Sequence, residues 1–140
     1  MTKRVVAAFK VTGWDQVPYD EQVAGPRLAR ATVRKAFEGE PKGTSTAELL
    51  MCQADPANIA AGAGYVASER FVGRLRDRTG SFVMQHWGLS GNGGAPRSAG
   101  LAVPGSGTDG LAGLTGTIEI VVAPAGGHTL ALDYAFATNA

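Results

Sequence analysis

The chain has 140 residues, of which 20 are glycine, and its formal net charge is +1. The glycine share is about twice the usual ~7% and follows no G-X-Y period, which is typical of a turn-rich globular domain and excludes a collagen-like chain. With 44% hydrophobic and 18% charged residues, wholesale disorder is excluded as well, and the near-neutral charge gives no reason to expect a nucleic acid or an anionic membrane as a partner.

One domain over residues 1–140 is expected at this length, and we expect it in the cytoplasm. Cys52 is the only cysteine, so an intrachain disulfide cannot form and a reducing compartment is the simpler expectation. The apolar stretch that follows Arg4 ends at Lys10, and it is too short for the core of a signal peptide or for a membrane span.

Apolar residues recur mainly with a period of two, which indicates strands with one buried face. Eight strands separated by turns rich in Gly and Pro are predicted, in chain order: from Val5 to about Trp14, Leu28–Phe37, Thr44–Gln53, Tyr65–Leu75, Ser81–Leu89, Ser98–Val103, Leu114–Val122, and a last strand that holds Leu130–Phe136. The second segment also fits a helix that opens after Pro26, but its alternating pattern favours the strand.

Eight antiparallel strands, each with one apolar face, can close into an all-β, up-and-down barrel without exposed sheet edges. A barrel of this size is just wide enough to be filled by side chains or to hold one small ligand. The inferred inner face carries several alanines, namely Ala7, Ala29, Ala31 and Ala47. Small inner residues either leave room for a ligand or alternate with phenylalanines in a tapered core, and the pattern leaves both open.

Residues Gly105–Gly110 match the dinucleotide motif G-x-G-x-x-G letter for letter. That motif needs a helix at its end, whereas the glycines of Leu111–Gly116 do not suit a helix. We therefore interpret them as turn residues and predict no nucleotide cofactor. No metal is predicted either, because His86 and His128 lie on different predicted strands and no cluster of metal ligands accompanies them.

The same glycine-rich stretch belongs to a resemblance that runs over nearly the whole chain. It is carried by Val103–Thr108, Leu111–Gly116, Gly13–Asp15 with Pro18–Tyr19, Glu69–Gly73, Gly80–His86 and Leu132–Tyr134. These segments resemble the bacterial DUF3224 family of domains of unknown function, whose members are similar to allene oxide cyclase-like barrels; plant dirigent proteins carry a comparable Gly-Thr stretch before a late strand. The connection Ala54–Gly64 and Trp87 depart from the family pattern. The resemblance implies a barrel, with a strand at Leu28–Phe37, and it implies no activity.

Glu69 is the first candidate catalytic residue, because it shares the inner face of its strand with Ala67 and Phe71. An inward carboxylate is unfavourable unless it is paired or hydrogen-bonded, and its pKa tends to rise, as in an acid/base catalyst. Lys35 also points inward by parity. A structural ion pair between Lys35 and Glu69 is the alternative to catalysis, and we favour it.

Gln85 and His86 are consecutive, so one faces inward and the other outward. An inward His86 would form an acid/base pair with Glu69 on the preceding strand, but the two faces of this strand are equally apolar. The pattern leaves both orientations open, and His86 stays a candidate catalytic residue. We favour Gln85 inside together with Trp87 and Leu89, because the two apolar side chains suit an interior, with His86 outside.

Tyr134 completes the predicted catalytic set, as a buried hydroxyl that donates a proton or forms a hydrogen bond with Glu69 or Gln85. Trp14, at the end of the first strand, is expected to plug the barrel. The predicted ligand contacts are Trp14 together with residues on inferred inner faces, namely Lys35, Gln85, Trp87, Phe71 and Met51.

Two function classes follow from this set. In the first, a non-catalytic barrel binds a small apolar molecule in its lumen, or serves only as a structural or homo-oligomeric barrel with a filled core. In the second, which the allene oxide cyclase resemblance implies, a cofactor-independent isomerase or cyclase folds an apolar substrate, and Glu69 or Tyr134 handles the proton. We favour binding, because likeness of fold is a weak ground for activity. An open lumen with an unpaired Glu69 would favour the enzyme, and a filled core with Glu69 in a closed ion pair would rule it out.

Overall fold

The structure is a computed structural model that describes residues 2–21, 25–91, 93–122 and 126–137. These ranges form eight strands: β1 (Lys3–Glu21), β2 (Arg27–Gly39), β3 (Lys42–Gln53), β4 (Ala63–Leu75), β5 (Arg78–Gly91), β6 (Gly94–Ala102), β7 (Leu114–Val122) and β8 (His128–Phe136). Two 3-10 turns lie at Ile59–Ala61 and Asp109–Leu111. The predicted eight strands are confirmed, including a strand rather than a helix at Leu28–Phe37. None of the helical segments in these ranges has the length and apolar character that a membrane crossing needs.

Each strand pairs antiparallel with the next one in the chain, and β8 returns to pair with β1. The ring closes over a short stretch, where Lys3–Phe9 of β1 lie opposite residues 134–128 of β8. The result is a closed, eight-stranded, antiparallel up-and-down barrel, as predicted.

The strands differ in length, and this gives the barrel two unlike ends. Strands β1–β5 have 12 to 19 residues, whereas β6, β7 and β8 have 9 each. Beyond Phe9, the described part of β1 continues to Glu21 with β2 as its partner, and β6 pairs with β7 over Gly100–Ala102. We call the end that holds the β2–β3 and β4–β5 turns the closed end. The opposite end, which β1 and β6 reach without support from β8 or β7, is the open end.

The closed end is covered by the connection between β6 and β7, which contains the G-x-G-x-x-G stretch. The backbone N–H of Thr108 donates to the carbonyl of Ser81 at 2.8 Å, so the connection runs beside β5. Leu111 is fully buried in the core. A Cβ at Gly107 would collide with the carbonyl oxygen of Leu111, so this glycine allows a close backbone approach. The stretch thus serves the packing of the closed end.

The closed half of the barrel is packed with aromatic and aliphatic side chains. Phe37, Phe71 and Phe82 are at most 2% exposed, and their ring centroids follow one another at 5.5 Å. Ala7 is fully buried in the same cluster, so alanine faces phenylalanine in a tapered core. The other inner alanines of the prediction are also covered, at 3% exposure or less: Ala29, Ala31 and Ala47.

A register shift in β1 follows Val11 and changes which of its residues face inward. Before the shift Phe9 lies opposite Phe37, and after it Trp14 lies opposite Val33. Trp14 is nevertheless 47% exposed, because the described pairing of β1 with β8 ends at Phe9 and leaves this part of the sheet at a free margin. The prediction that Trp14 plugs the barrel is therefore wrong.

Candidate functional site

Four buried polar side chains lie inside the barrel, one on each of the strands β2–β5: Lys35, Ser45, Glu69 and His86. The Oε1 atom of Glu69 accepts a hydrogen bond from Lys35 Nζ at 2.9 Å and lies 2.8 Å from His86 Nε2. Its Oε2 atom accepts from Ser45 Oγ at 2.6 Å. All four residues are at most 7% exposed, and we call them the buried polar cluster.

The strand register brings the cluster together. Glu69 and His86 each lie opposite an alanine of the neighbouring strand, Ala47 and Ala67 respectively. Since an alanine occupies little of the interior, diagonal neighbours can reach one another across it. The space next to the inner alanines is therefore occupied by polar side chains. The predicted inward orientation of Glu69 and its ion pair with Lys35 are confirmed.

Glu69 is ionised in this setting. Burial by itself raises the pKa of its carboxyl, but the hydrogen bond from His86, the charge of Lys35 and the hydrogen bond from Ser45 outweigh burial and lower the pKa to about 2. This is the opposite of the raised pKa that suits a carboxyl in acid/base catalysis. At neutral pH Glu69 is therefore an anion in a closed ion pair.

Tyr65 connects the buried polar cluster to the open end. Its Oη atom lies 2.9 Å from Nδ1 of His86, and its ring meets the imidazole edge-on. Burial, and then the negative charge of Glu69, raise the pKa of Tyr65 to about 12, so the phenol keeps its proton at neutral pH. A continuous chain of hydrogen bonds thus runs from Lys35 through Glu69 and His86 to Tyr65.

Two glycines make room for this chain. Gly88 lies opposite Tyr65, and a Cβ there would come within 2.5 Å of a carbon of the tyrosine ring. Gly100 lies opposite His86, and a Cβ there would come within 2.5 Å of the histidine Cβ. Carbon atoms do not pack this closely. An alanine at Gly88 would therefore displace the Tyr65 ring, and an alanine at Gly100 would push against the Cβ of His86 and the carbonyl oxygen of Gln85.

Strand β5 faces the opposite way from the prediction. His86 is buried, whereas Gln85 is exposed on the outer face, where its amide donates to Ser68 Oγ at 3.0 Å. Trp87 is half-buried in the same outward register. Both faces of this strand are apolar, and the observed phase brings His86 Nε2 to 2.8 Å from Glu69 Oε1. The prediction that Gln85 and Trp87 face the lumen, with His86 outside, is wrong.

Two further predicted residues lie in the closed half, Tyr134 at the closed end and Phe71 opposite Ser45. Tyr134 is opposite Lys3 at the closed end, and its ring packs edge-on against Phe136. It is absent from the described hydrogen-bond partners of Glu69, contrary to one expectation for its hydroxyl. Phe71 is fully buried in the aromatic core, where no ligand can touch it without opening the packing.

Tyr65 and Ser45 were not predicted as site residues, although the sequence carries a signal for both. Alternation puts Tyr65 on the same strand face as Glu69, and it puts Ser45 on the same face as Ala47. Parity does not say which inward residues meet across strands, because that depends on the register. The contact of Tyr65 with His86 therefore emerges only in the folded barrel.

A cavity of about 790 Å³ lies at the open end, and we call it the open-end cavity. Its walls come from β3–β7, and the residues that line it include Met51, Tyr65, Gly88, Ser98, Ile120 and Val122. Of the predicted ligand contacts, Met51 and Trp87 line it, and Lys35 does not. In the described parts of the chain, no three His, Cys, Asp or Glu side chains gather in a way that could hold a metal ion.

Comparison with known proteins adds a family but no activity. A family described as "Protein of unknown function (DUF3224)" matches residues 5–134. The crystal structure of a protein of unknown function from that family, from Shewanella oneidensis MR-1, superposes with a TM-score of 0.80 at 32% sequence identity, over 99% of this chain and 100% of that chain. No curated protein matches the chain.

Proposed function

The chain belongs to the DUF3224 family, whose function is unknown, and from its own geometry we propose that it binds one small, largely apolar molecule in the open-end cavity. The observation that carries this proposal is the cavity itself. Its volume of about 790 Å³ falls within the roughly 300–1,000 Å³ of pockets that hold small ligands, and the mouth of a β-barrel is a frequent place for such pockets.

The chemistry of the cavity wall supports an apolar ligand. Met51, Ile120 and Val122 contribute aliphatic surface, and Tyr65 and Ser98 contribute polar atoms. The lining also includes Gln53 and the exposed side chains of Arg97 and Glu119. Ser98 Oγ already donates to the carbonyl of Ile120 at 2.9 Å, so its proton is engaged. A wall of apolar groups with a few placed polar atoms is typical of a site that buries a small molecule and orients it.

Binding is favoured over an isomerase or cyclase by the state of Glu69. A proton-transferring carboxyl must be able to exchange its proton with the substrate, whereas Glu69 is 1% exposed and has partners on both oxygens. It is also not among the residues that line the open-end cavity. The closed ion pair therefore argues against Glu69 as a proton-transferring residue in the lumen.

The proposal can be tested with an apolar probe and a blocked cavity. We expect 2-methoxynaphthalene to bind the protein in isothermal titration calorimetry, and we expect Ser98→Trp to weaken this binding strongly because the indole would occupy the part of the cavity beside Gly88 and Tyr65. Val72→Trp adds the same side chain at an outward position that is 53% exposed, and it should bind as the unmodified protein does. Equal binding by the Ser98→Trp variant, with circular dichroism showing that it folds, would place the probe elsewhere and refute the proposal.

A further inference from the structure

Resting on the proposed binding site, we infer that Tyr65 presents its phenol oxygen to the open-end cavity as a hydrogen-bond acceptor, so that the site selects apolar molecules that carry a hydroxyl or N–H donor. The inference depends on where the protons lie along the chain from Lys35 to Tyr65. Each step follows from a distance and from the donor and acceptor capacity of the groups involved.

The direction of the chain is set at Glu69. Lys35 Nζ can only donate, and it lies 2.9 Å from Glu69 Oε1. Ser45 Oγ donates to Oε2 at 2.6 Å. A carboxylate with these two donors is an anion, which only accepts hydrogen bonds. The His86 Nε2 atom, 2.8 Å from Oε1, must therefore carry a hydrogen.

The proton on Nε2 determines the role of the other ring nitrogen. Lys35 and Glu69 already neutralise one another, so an imidazolium would leave an uncompensated charge in a buried cluster. His86 is therefore neutral, and its Nδ1 atom carries a lone pair. Tyr65 Oη, 2.9 Å from Nδ1, can form this hydrogen bond only as the donor.

Tyr65 then has no proton left for a ligand. Its single hydroxyl hydrogen points to His86, and the remaining lone pairs of Oη are the only hydrogen-bonding capacity that this side chain can offer to a molecule in the cavity. A ligand with a hydroxyl or N–H group satisfies that acceptor, whereas a ligand without one displaces water and leaves it unpaired. Sites that hydrogen-bond one group of a ligand discriminate strongly against analogues that lack it.

The test compares two probes that differ only in this donor, 2-naphthol and 2-methoxynaphthalene. In the unmodified protein 2-naphthol should bind roughly fivefold to tenfold more tightly, the value of one neutral hydrogen bond. Tyr65→Phe should reduce this ratio to about one by weakening 2-naphthol alone. Tyr134→Phe removes a hydroxyl at the closed end and should leave the ratio unchanged.

The outcomes separate this inference from the proposed function. If both probes bind in the cavity, so that Ser98→Trp weakens both, but Tyr65→Phe does not change their ratio, the inference is overturned and the proposed function stands. If neither probe binds the unmodified protein, the proposed function fails, and the inference fails with it. A ratio that drops to about one only in Tyr65→Phe supports both.

A second measurement does not depend on the folding of any Tyr65 variant. The ¹⁵N chemical shifts of the His86 ring, assigned against a His128→Gln variant, distinguish the two neutral tautomers. We expect a protonated Nε2 and an unprotonated Nδ1. A protonated Nδ1 would make Tyr65 the acceptor of that hydrogen bond and free its hydroxyl to donate to a ligand, which would overturn the inference.

Discussion

Glu69→Gln is the substitution that tests the buried polar cluster most directly, because it removes the negative charge and keeps the size of the side chain. The pKa of Glu69 falls from 4.5 to about 2 in the folded protein. One pH unit of pKa difference corresponds to about 1.36 kcal/mol, so the fold favours the ionised form by about 3 kcal/mol. Removal of one partner from a buried ion pair typically costs about 3–5 kcal/mol. We therefore expect Glu69→Gln to lower the free energy of unfolding by about 3 kcal/mol.

The pH dependence of this loss has a definite sign. A carboxyl whose pKa is lower in the folded state contributes its full stabilisation above the unfolded value, and the contribution disappears as the pH falls through the folded value. The difference in stability between the unmodified protein and Glu69→Gln should therefore be largest at neutral pH. It should narrow progressively between pH 4.5 and about pH 2.

Urea unfolding followed by tryptophan fluorescence measures both effects. The matched control is Glu48→Gln, which removes an exposed carboxylate that pairs with Arg30 and Thr32 on the outer face, and it should leave the unfolding midpoint nearly unchanged. The reasoning is refuted if Glu69→Gln is no more destabilising than Glu48→Gln at neutral pH, or if the difference from the unmodified protein persists unchanged in acid.

Two further predictions concern Tyr65 and its surroundings. Burial and the charge of Glu69 raise the pKa of Tyr65 from 10 to about 12, so the stabilising contribution of the neutral phenol is complete below pH 10 and is lost as the pH rises towards 12. The difference between the ultraviolet titrations of the unmodified protein and Tyr65→Phe should show a phenol that ionises near pH 12. Ionisation near pH 10 would contradict this prediction. Gly88→Ala should displace the Tyr65 ring and weaken the binding of 2-naphthol about as much as Tyr65→Phe does. The control is Gly127→Ala, where a Cβ meets no atom within 4 Å, and this variant should bind 2-naphthol normally. Normal binding by Gly88→Ala would show that the position of the Tyr65 ring is not critical.

The fold was predictable from the sequence because the alternation of apolar and polar residues within each strand identifies its buried face. Alternation located the eight strands and pointed Glu69 and Lys35 inward. It failed where two faces are equally apolar or where the register changes. In the phase that β5 adopts, His86 forms a hydrogen bond with Glu69, which is a contact between strands. The exposure of Trp14 depends on where β8 stops pairing with β1. Such long-range contacts leave no local pattern.

The candidate site was predictable only in part, for the same reason. Parity identified the inner residues, but whether the inner alanines surround an empty lumen depends on which long side chains reach across them. In the folded barrel, Glu69 and His86 lie opposite Ala47 and Ala67, and their side chains occupy the space that two methyl groups leave. The open-end cavity lies instead at the open end. There the described part of β1 extends beyond its pairing with β8, and β6 extends beyond its pairing with β7.

We predict that the buried polar cluster serves the proposed binding more than stability. A buried ion pair can often be replaced by apolar residues of similar size without loss of stability, so a purely structural core would gain nothing from Lys35 and Glu69. The double variant Lys35→Met with Glu69→Gln separates the two roles. Its stability should recover relative to Glu69→Gln, because no lone ammonium stays buried. An amide beside His86 can either accept from Nε2 or donate to it, so it no longer fixes the proton that Tyr65 depends on. Recovered stability together with a reduced preference for 2-naphthol would assign the cluster to recognition, and recovery of both would assign it to packing alone.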